Sequence, residues 1–166
     1  MLKILSRISD IIDMIINILI VIFFSILIFS CVLQVYTRFV LNRAFTWTEE
    51  LARYTFIWAN LLGAVLCTKK GSHATVTALS DRYSPSLKRK VTIFIQIIIT
   101  LVALVMIRYG FRVTYLTRNQ TSAAMRISMA LINASVPICG LFIFIHSFAH
   151  LLKALIIKND LKRGDI

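Results

Sequence analysis

The side chains of this chain that could do chemistry together are concentrated in one run, from Thr46 to Arg53. Thr46 and Glu49 have the spacing of a capping box with Thr46 as the N-cap, and Glu49 and Glu50 suit the positive end of a helix dipole. Arg53 follows four residues after Glu49 and three after Glu50, which is ion-pair spacing on a helix. Adjacent carboxylates on a helix point about 100° apart, a poor arrangement for acid–base catalysis. The run therefore predicts the start of a helix and not a catalytic pair.

The same run has an aromatic stripe and a polar face. Trp47, Tyr54 and Trp58 share a stripe with Leu51, and aromatic residues are typical anchors at a membrane boundary. One interpretation is a capped, anchored helix start made by Thr46, Trp47, Glu49, Arg53 and Tyr54. The polar face carries Glu50, Arg53 and Asn60, together with Ile57. Because polar side chains on a membrane helix are costly, the second interpretation adds a neighbouring subunit that pairs with this face.

Histidines are the second possible source of chemistry. His146 and His150 are spaced i,i+4, as two metal ligands on one helix can be, but no further ligand lies near them in sequence. His73 and His150 are expected near the same membrane side and could together bind haem. A haem-binding membrane anchor of a redox complex therefore stays an alternative to histidines that only pack between helices.

The background of these polar residues is very apolar. The 166 residues are 58% hydrophobic and 16% charged, whereas a soluble domain is about 45–50% apolar and about 25% charged. This composition excludes a disordered chain and disfavours a soluble one. The net charge of +12 does not indicate nucleic-acid binding, because the basic residues are scattered between long apolar runs.

Four apolar runs must position the polar residues, at about 11–35, 51–68, 91–115 and 129–152. A helix crosses a bilayer with roughly 20 apolar residues, and lipid cannot satisfy an open strand's backbone groups. The predicted fold is an all-α integral membrane protein with four transmembrane helices. No Asp, Glu, Lys or Arg falls in the middle of a run, which disfavours an ion-coupled pump. A free-standing small homo-oligomeric transporter stays an alternative.

The Lys and Arg residues predict the orientation. Twelve of the 19 lie on the side of both termini and the loop between the second and third helices, so we expect both termini in the cytoplasm. Val76, Leu79 and Tyr83 recur at helical spacing and predict a short amphipathic surface helix in that cytoplasmic loop. Lipid headgroups are the expected contacts of Lys69, Lys70, Lys88, Arg89 and Lys90.

Several residues inside the runs have predicted packing roles. Asn17, Gln34, Gln96 and Asn133 should find hydrogen-bond partners in neighbouring helices, and Pro137 should bend the fourth helix. The cysteines, Cys31, Cys67 and Cys139, are odd in number and are expected to be buried as small apolar residues. Periodicity does not decide whether residues 110–128 are loop or helix.

The region around the second helix resembles a known family. The resemblance is carried by Gln34-Val35-Tyr36-Thr37-Arg38-Phe39-Val40-Leu41-Asn42, Phe45-Thr46-Trp47-Thr48-Glu49-Glu50-Leu51-Ala52-Arg53-Tyr54, Trp58, Gly63 and Lys70-Gly71-Ser72-His73. These residues are similar to the small (Q-type, DctQ-like) membrane subunit of tripartite ATP-independent periplasmic (TRAP) transporters. One departure is Thr77, where family members often carry an acidic residue.

The resemblance implies a non-catalytic subunit in the bacterial inner membrane. In that family a periplasmic binding protein captures an organic anion, such as a C4-dicarboxylate or a sialic acid. A large membrane subunit then moves the anion inward, driven by sodium. The small subunit is expected to scaffold the large one, with phospholipid at their interface. No cofactor is expected in this chain, and sodium is expected in the large subunit.

The resemblance and the predicted topology also suggest contact residues. Candidates for contact with the large subunit are Gln34, Arg38, Glu50, Trp58 and Asn60. Candidates for contact with the periplasmic binding protein are Arg43, Trp47 and Arg118, because the topology places them outside.

Overall fold

The fold is all-helical in a computed structural model that describes residues 2–43, 45–70 and 85–163. The helices are α1 (Leu2–Phe39), α2 (Thr46–Lys70), α3 (Pro85–Leu116), α4 (Met129–Asn133) and α5 (Ser135–Arg163). Four segments are long and apolar enough to span a membrane: Met14–Phe39, Thr46–Lys69, Val91–Leu116 and Met129–Leu151. The predicted four-helix membrane fold is therefore confirmed. The predicted surface helix lies outside the described residues.

The long helices form an open layer and not a closed bundle. In the described residues α1 packs against α2, α2 against α5, and α5 against α3, while α1 and α3 do not touch. The order across the layer is therefore α1, α2, α5, α3. Burial follows this order. In the most apolar 18-residue stretch of each span, 33% is buried for α2 and for α4–α5, but only 11% for α1 and for α3. We call this arrangement the helix layer.

A small apolar core lies inside the layer. It comprises Ile16, Leu62, Val65, Ala103, Cys139 and Ile143. Beside this core the rings of Phe23 and Trp58 stack with centroids 5.8 Å apart, which joins α1 to α2. Lipid tails are as apolar as these side chains, so close packing and not water exclusion holds the helices together.

Two glycines lie in close contact across the interface between α3 and α5. A Cβ added to Gly110 would lie 2.8 Å from Cδ of Pro137, and one added to Gly140 would lie 3.0 Å from Cβ of Met106. Small residues allow helix backbones to approach in this way, as is common in membrane proteins. Larger residues at either position would force the two helices apart.

The predicted bend near Pro137 is a break between α4 and α5. α4 ends at Asn133, and α5 begins at Ser135. Pro137 has no backbone N–H, so the carbonyl of Asn133 cannot receive the usual helical hydrogen bond. Ala134 keeps helical dihedrals, with φ −61° and ψ −21°, so the chain continues across the break as one spanning segment.

Buried polar side chains connect α3 to α5. Gln96 Nε2 donates to the carbonyl oxygen of Ser147 at 3.0 Å and to its Oγ at 2.8 Å. The hydroxyl of Thr100 lies 2.8 Å from the same Oγ. The expected partner of Gln96 in a neighbouring helix is thus confirmed. Asn133 bonds to Thr117 just beyond α3, at 2.9 Å.

Four other packing predictions need correction. Asn17 is exposed and Gln34 is half-buried, and neither side chain has a hydrogen-bond partner within the described part of the chain. Cys31 and Cys67 are also exposed, because they lie on the outer surfaces of α1 and α2, and only Cys139 is buried. The polarity of a residue did not indicate which helix surface would face a neighbour.

Candidate functional site

The segment left undecided by the sequence is helix to Leu116 and a compact hairpin after it. We call residues 117–128 the hairpin. Ser122 N donates to the carbonyl of Ile127 at 2.9 Å, and Met129 N donates to the carbonyl of Gln120 at 2.9 Å. Ser128 caps α4 by accepting from Ala130 N at 3.3 Å. We call the end of the layer that carries the hairpin and residues 40–43 the hairpin end.

Glu50 binds the tip of the hairpin. One carboxylate oxygen accepts from Ala124 N at 3.0 Å, and the other accepts from Met125 N at 3.0 Å. The next residue, Arg126, has a left-handed φ of 54°. Successive backbone N–H groups next to a left-handed residue form an anion-binding concavity. Here the anion is a side chain of the same protein, 74 residues away from Ala124 along the chain.

Glu49, the neighbouring carboxylate, faces away from the hairpin. It forms an ion pair with Arg53 at 2.9 Å, the i,i+4 pair that the sequence predicts. Both side chains are about 60% exposed, at 60% and 63% respectively. Exposed helix pairs of this kind stabilise by only about 0.3–0.5 kcal/mol. The two adjacent acids therefore have different environments, as their divergence on a helix requires.

The first turn of α2 differs from the predicted capping box. Thr46 is the first residue of the helix, and the Glu49 side chain bonds to Arg53. Among the described residues no hydrogen bond involves the Thr46 side chain. The buried Thr48 hydroxyl donates to the Phe45 carbonyl at 2.7 Å, and it closes the turn instead.

Aromatic residues of the predicted stripe have separate partners. Trp47 is exposed and stacks on Phe45 with ring centroids 6.4 Å apart. Tyr54 donates its hydroxyl to Sδ of Met129 at 3.8 Å, which links α2 to α4. Trp58 is half-buried and packs on Phe23 within this chain. The Tyr54 hydroxyl and one face of the Trp58 ring thus have their contacts within this chain.

The remaining contact candidates lie mostly on the surface. Exposed residues among them are Arg38, Arg43, Asn60 and Arg118, while Gln34 is half-buried. Asn60 donates to its own helix at the Phe56 carbonyl, at 2.8 Å. The guanidinium of Arg118 lies 4.3 Å from the centroid of the Tyr115 ring, a cation–π contact that orients it. Their positions do not test whether any of these residues contacts another subunit.

A cavity of about 320 Å³ lies beside the contact between the start of α2 and the hairpin tip. Its lining residues are Thr46, Glu49, Glu50, Arg53, Ala123 and Ala124. An apolar groove of about 250 Å³ lies along the same two elements. Its lining includes Phe23, Tyr54, Trp58, Met125, Ile127 and Leu131.

His146 and His150 lie at the opposite end of the layer. His150 Nε2 lies 2.8 Å from the carbonyl oxygen of Lys69, and because a carbonyl only accepts, this nitrogen is the donor in the bond. His146 is half-buried. The described residues contain no group of three His, Cys, Asp or Glu that could hold a metal ion. His73 and the side chains of Lys70, Lys88, Arg89 and Lys90 lie outside the described residues.

Comparison with known proteins identifies the family. Residues 27–156 match the family described as "Tripartite ATP-independent periplasmic transporters, DctQ component". The chain belongs to the DctQ family. The matched residues include the last third of α1, Glu50, the hairpin and most of α5. The family resemblance seen in the sequence is therefore confirmed.

Curated relatives carry related names. The chain is 28% identical over 109 residues to the sialic acid TRAP transporter small permease protein SiaQ of Vibrio cholerae. It is 43% identical over 61 residues to a putative TRAP transporter small permease protein of Haemophilus influenzae. These alignments cover 66% and 37% of this chain, and the chain spans only 63% and 36% of the two relatives.

A third relative has the name of a different permease. The DctQ-family chain is 24% identical over 79 residues to the sialic acid TRAP transporter permease protein SiaT of Haemophilus influenzae. That alignment covers 48% of this chain and 13% of the relative.

Sequence reasoning about this DctQ-family chain missed the partner of Glu50. It expected Glu50 to contact another subunit, whereas the structure joins both carboxylate oxygens to the hairpin. It also did not single out Arg126, which has the unusual backbone conformation. The only available signal was the Ser and Thr content of residues 117–128, which favours a turn over a helix.

Proposed function

We propose that this chain is the non-catalytic small subunit of a TRAP transporter and scaffolds a large transport subunit in the bacterial inner membrane. Both termini are cytoplasmic in this proposal, and the hairpin end faces the periplasm. The transported substrate is an organic anion, and sodium drives its uptake through the large subunit. This chain then needs no cofactor and no catalytic residue of its own.

The observation that carries the proposal is the open helix layer. A layer with α1 and α3 at its edges exposes two broad apolar faces. Only 11% of the most apolar 18-residue stretch is buried in each of these two helices. A transport path needs an enclosed space, which a single open layer does not provide. Lipid and a second membrane protein are the natural neighbours of such faces, because TM helices associate by close packing.

Charge placement also supports a scaffold. The described spans contain no Asp, Glu, Lys or Arg over residues 14–37, 54–68, 91–107 and 129–151. Intramembrane ionisable residues mark ion pathways and proton relays, so their absence from these segments favours a passive role. Arg108 and Arg112 lie in the last turns of α3, close enough to the hairpin end for their long side chains to reach the interface.

The names of the relatives support the choice of partner. Two relatives are named as small permease proteins of TRAP transporters, and a third is named as a sialic acid TRAP transporter permease protein. We extend the proposal to docking of the periplasmic binding protein at the hairpin end, through Arg43, Trp47 and Arg118. The basic residues Lys69, Lys70, Lys88, Arg89 and Lys90 contact phospholipid headgroups at the other end.

Affinity purification from native membranes tests the proposal. We expect a larger membrane protein to co-purify in equal amount, and neither protein alone to take up a carboxylate substrate into vesicles with an inward sodium gradient. Uptake by this chain alone would contradict the scaffold role. A homo-oligomer without a larger partner would favour a free-standing transporter, and a Soret absorption band would favour the haem anchor.

A further inference from the structure

Glu50 is the one acidic side chain of the described residues whose two oxygens are both held by another part of the chain. We propose that Glu50 is a positioning residue: it fixes the hairpin so that Arg118 and Arg126 are presented to an acidic surface of the binding protein. This inference rests on the proposed docking at the hairpin end. It assigns to Glu50 a role inside this chain instead of a contact with the large subunit.

The hairpin tip depends on an anion for its conformation. The N–H groups of Ala124 and Met125 converge on the carboxylate of Glu50, and each is 3.0 Å from a different oxygen. Arg126, the next residue, has a φ of 54°, a left-handed conformation that is uncommon for a long side chain. Hydrogen bonds to a carboxylate are roughly twice as strong as neutral ones, so they can offset this backbone strain.

The cationic groups of the hairpin have no acidic partner in the described structure. Arg118 and Arg126 are exposed, and the single ion pair of that part of the chain joins Glu49 to Arg53. The backbone at Arg118 is tied to Ser128, whose hydroxyl donates to the Arg118 carbonyl at 3.0 Å. The backbone at Arg126 directly follows the two amides that Glu50 holds.

An acidic partner surface is the complement that these features specify. Guanidinium groups present several donors in a plane that matches a carboxylate. A loop that is already ordered loses less conformational entropy on binding, so fixing the hairpin increases affinity without a new contact. Both oxygens of Glu50 accept from the hairpin amides, so in this proposal Glu50 acts on the partner through the hairpin.

The test compares Glu50→Gln with the matched control Glu49→Gln in the assembled membrane complex, reconstituted in nanodiscs. Gln keeps the size of the side chain but turns an NH₂ group toward a backbone N–H. We expect E50Q to speed hydrogen exchange at Ala124 and Met125 and to raise the Kd for the cognate periplasmic binding protein about tenfold. E49Q should change the Kd by less than about twofold, because its ion pair is exposed.

A double-mutant cycle separates positioning from direct contact. Arg126→Gln should weaken binding several-fold when Glu50 is present and much less in the E50Q background, because the loosened hairpin has already lost that contact. Additive effects of the two substitutions would overturn the positioning role. So would an unchanged Kd for E50Q despite faster exchange at the hairpin tip.

A second variant keeps the test decisive if E50Q prevents assembly. Ser122→Ala removes the hydroxyl that accepts from Ile127 N at 3.3 Å and that also hydrogen-bonds the Glu50 carboxylate, so it loosens the hairpin while the acidic residues of α2 are kept. It should also raise the Kd several-fold, and an unchanged Kd with faster exchange would again overturn the inference. Failure of the unmutated complex to bind the binding protein is a different result, because it removes the proposed docking itself.

Discussion

The two outer pairs of helices are held together in different ways. Between α3 and α5, Gln96, Thr100 and Ser147 form hydrogen bonds across the interface, and glycines allow close backbone approach. Between α1 and α2 the contacts are apolar and aromatic, with Phe23 stacked on Trp58. The buried hydroxyl of Ser30 on α1 has no hydrogen-bond partner among the residues that the structure describes.

This difference indicates how strictly each pair is specified. Hydrogen bonds and glycine contacts have one correct register, because a shift along the helix leaves polar groups unpaired or creates a clash. Apolar packing tolerates small shifts better. We therefore expect the α3–α5 pair to be the fixed part of the helix layer and the α1–α2 pair to be the part that adapts to a partner.

The largest expected effect is at the glycine contact of the fixed pair. Gly110→Ala should destabilise the protein by about 1–3 kcal/mol, because the new Cβ would lie 2.8 Å from Pro137. Gly63→Ala on α2 is the matched control, since no atom lies within 4 Å of its added Cβ. It should be neutral or stabilise by up to about 1 kcal/mol through helix propensity.

Unfolding of both variants in the same detergent measures this contrast. A lower melting temperature for G110A and an equal or higher one for G63A are expected. Equal losses in the two variants would mean that glycine itself, and not the contact with Pro137, matters in these helices.

An intermediate effect is expected at the buried polar cluster. Gln96→Leu removes the bonds from Nε2 to Ser147 and should cost about 0.6–1.7 kcal/mol, the range measured for hydrogen bonds between membrane helices. Gln34→Leu on α1 is the control, because no hydrogen bond of the Gln34 side chain occurs in the described structure. A loss from Q34L as large as that from Q96L would remove the distinction between the two pairs.

The smallest effect is expected at the unpaired hydroxyl. Ser30→Ala should leave the free energy of unfolding unchanged or raise it by up to about 1 kcal/mol, because a buried polar group without a partner is removed. Ser147→Ala deletes a hydroxyl with partners on α3 and should lower stability. If S30A clearly destabilises the isolated chain in thermal unfolding, the register of the α1–α2 pair is fixed more strictly than its apolar contacts indicate.

Local features were predicted well because helix geometry fixes them. The Glu49–Arg53 pair depends only on i,i+4 spacing, and the apolar spans depend only on run length and composition. The predicted start of α2 agrees with the structure, because Thr46 is the first residue of the helix, while the capping role of Thr46 stays a prediction. The end of α3 was undecided, because residues 110–128 mix helix-compatible and turn-forming side chains.

The sequence by itself determined four membrane-spanning helices, the ion pair on α2 and the family. Only the tertiary structure decided the order α1, α2, α5, α3, the surfaces on which Cys31 and Cys67 lie, and the hairpin as the partner of Glu50. The physical reason is distance along the chain. Helix formation follows from neighbours within a few residues, whereas Glu50 meets amides 74 and 75 residues away only after the helices have packed.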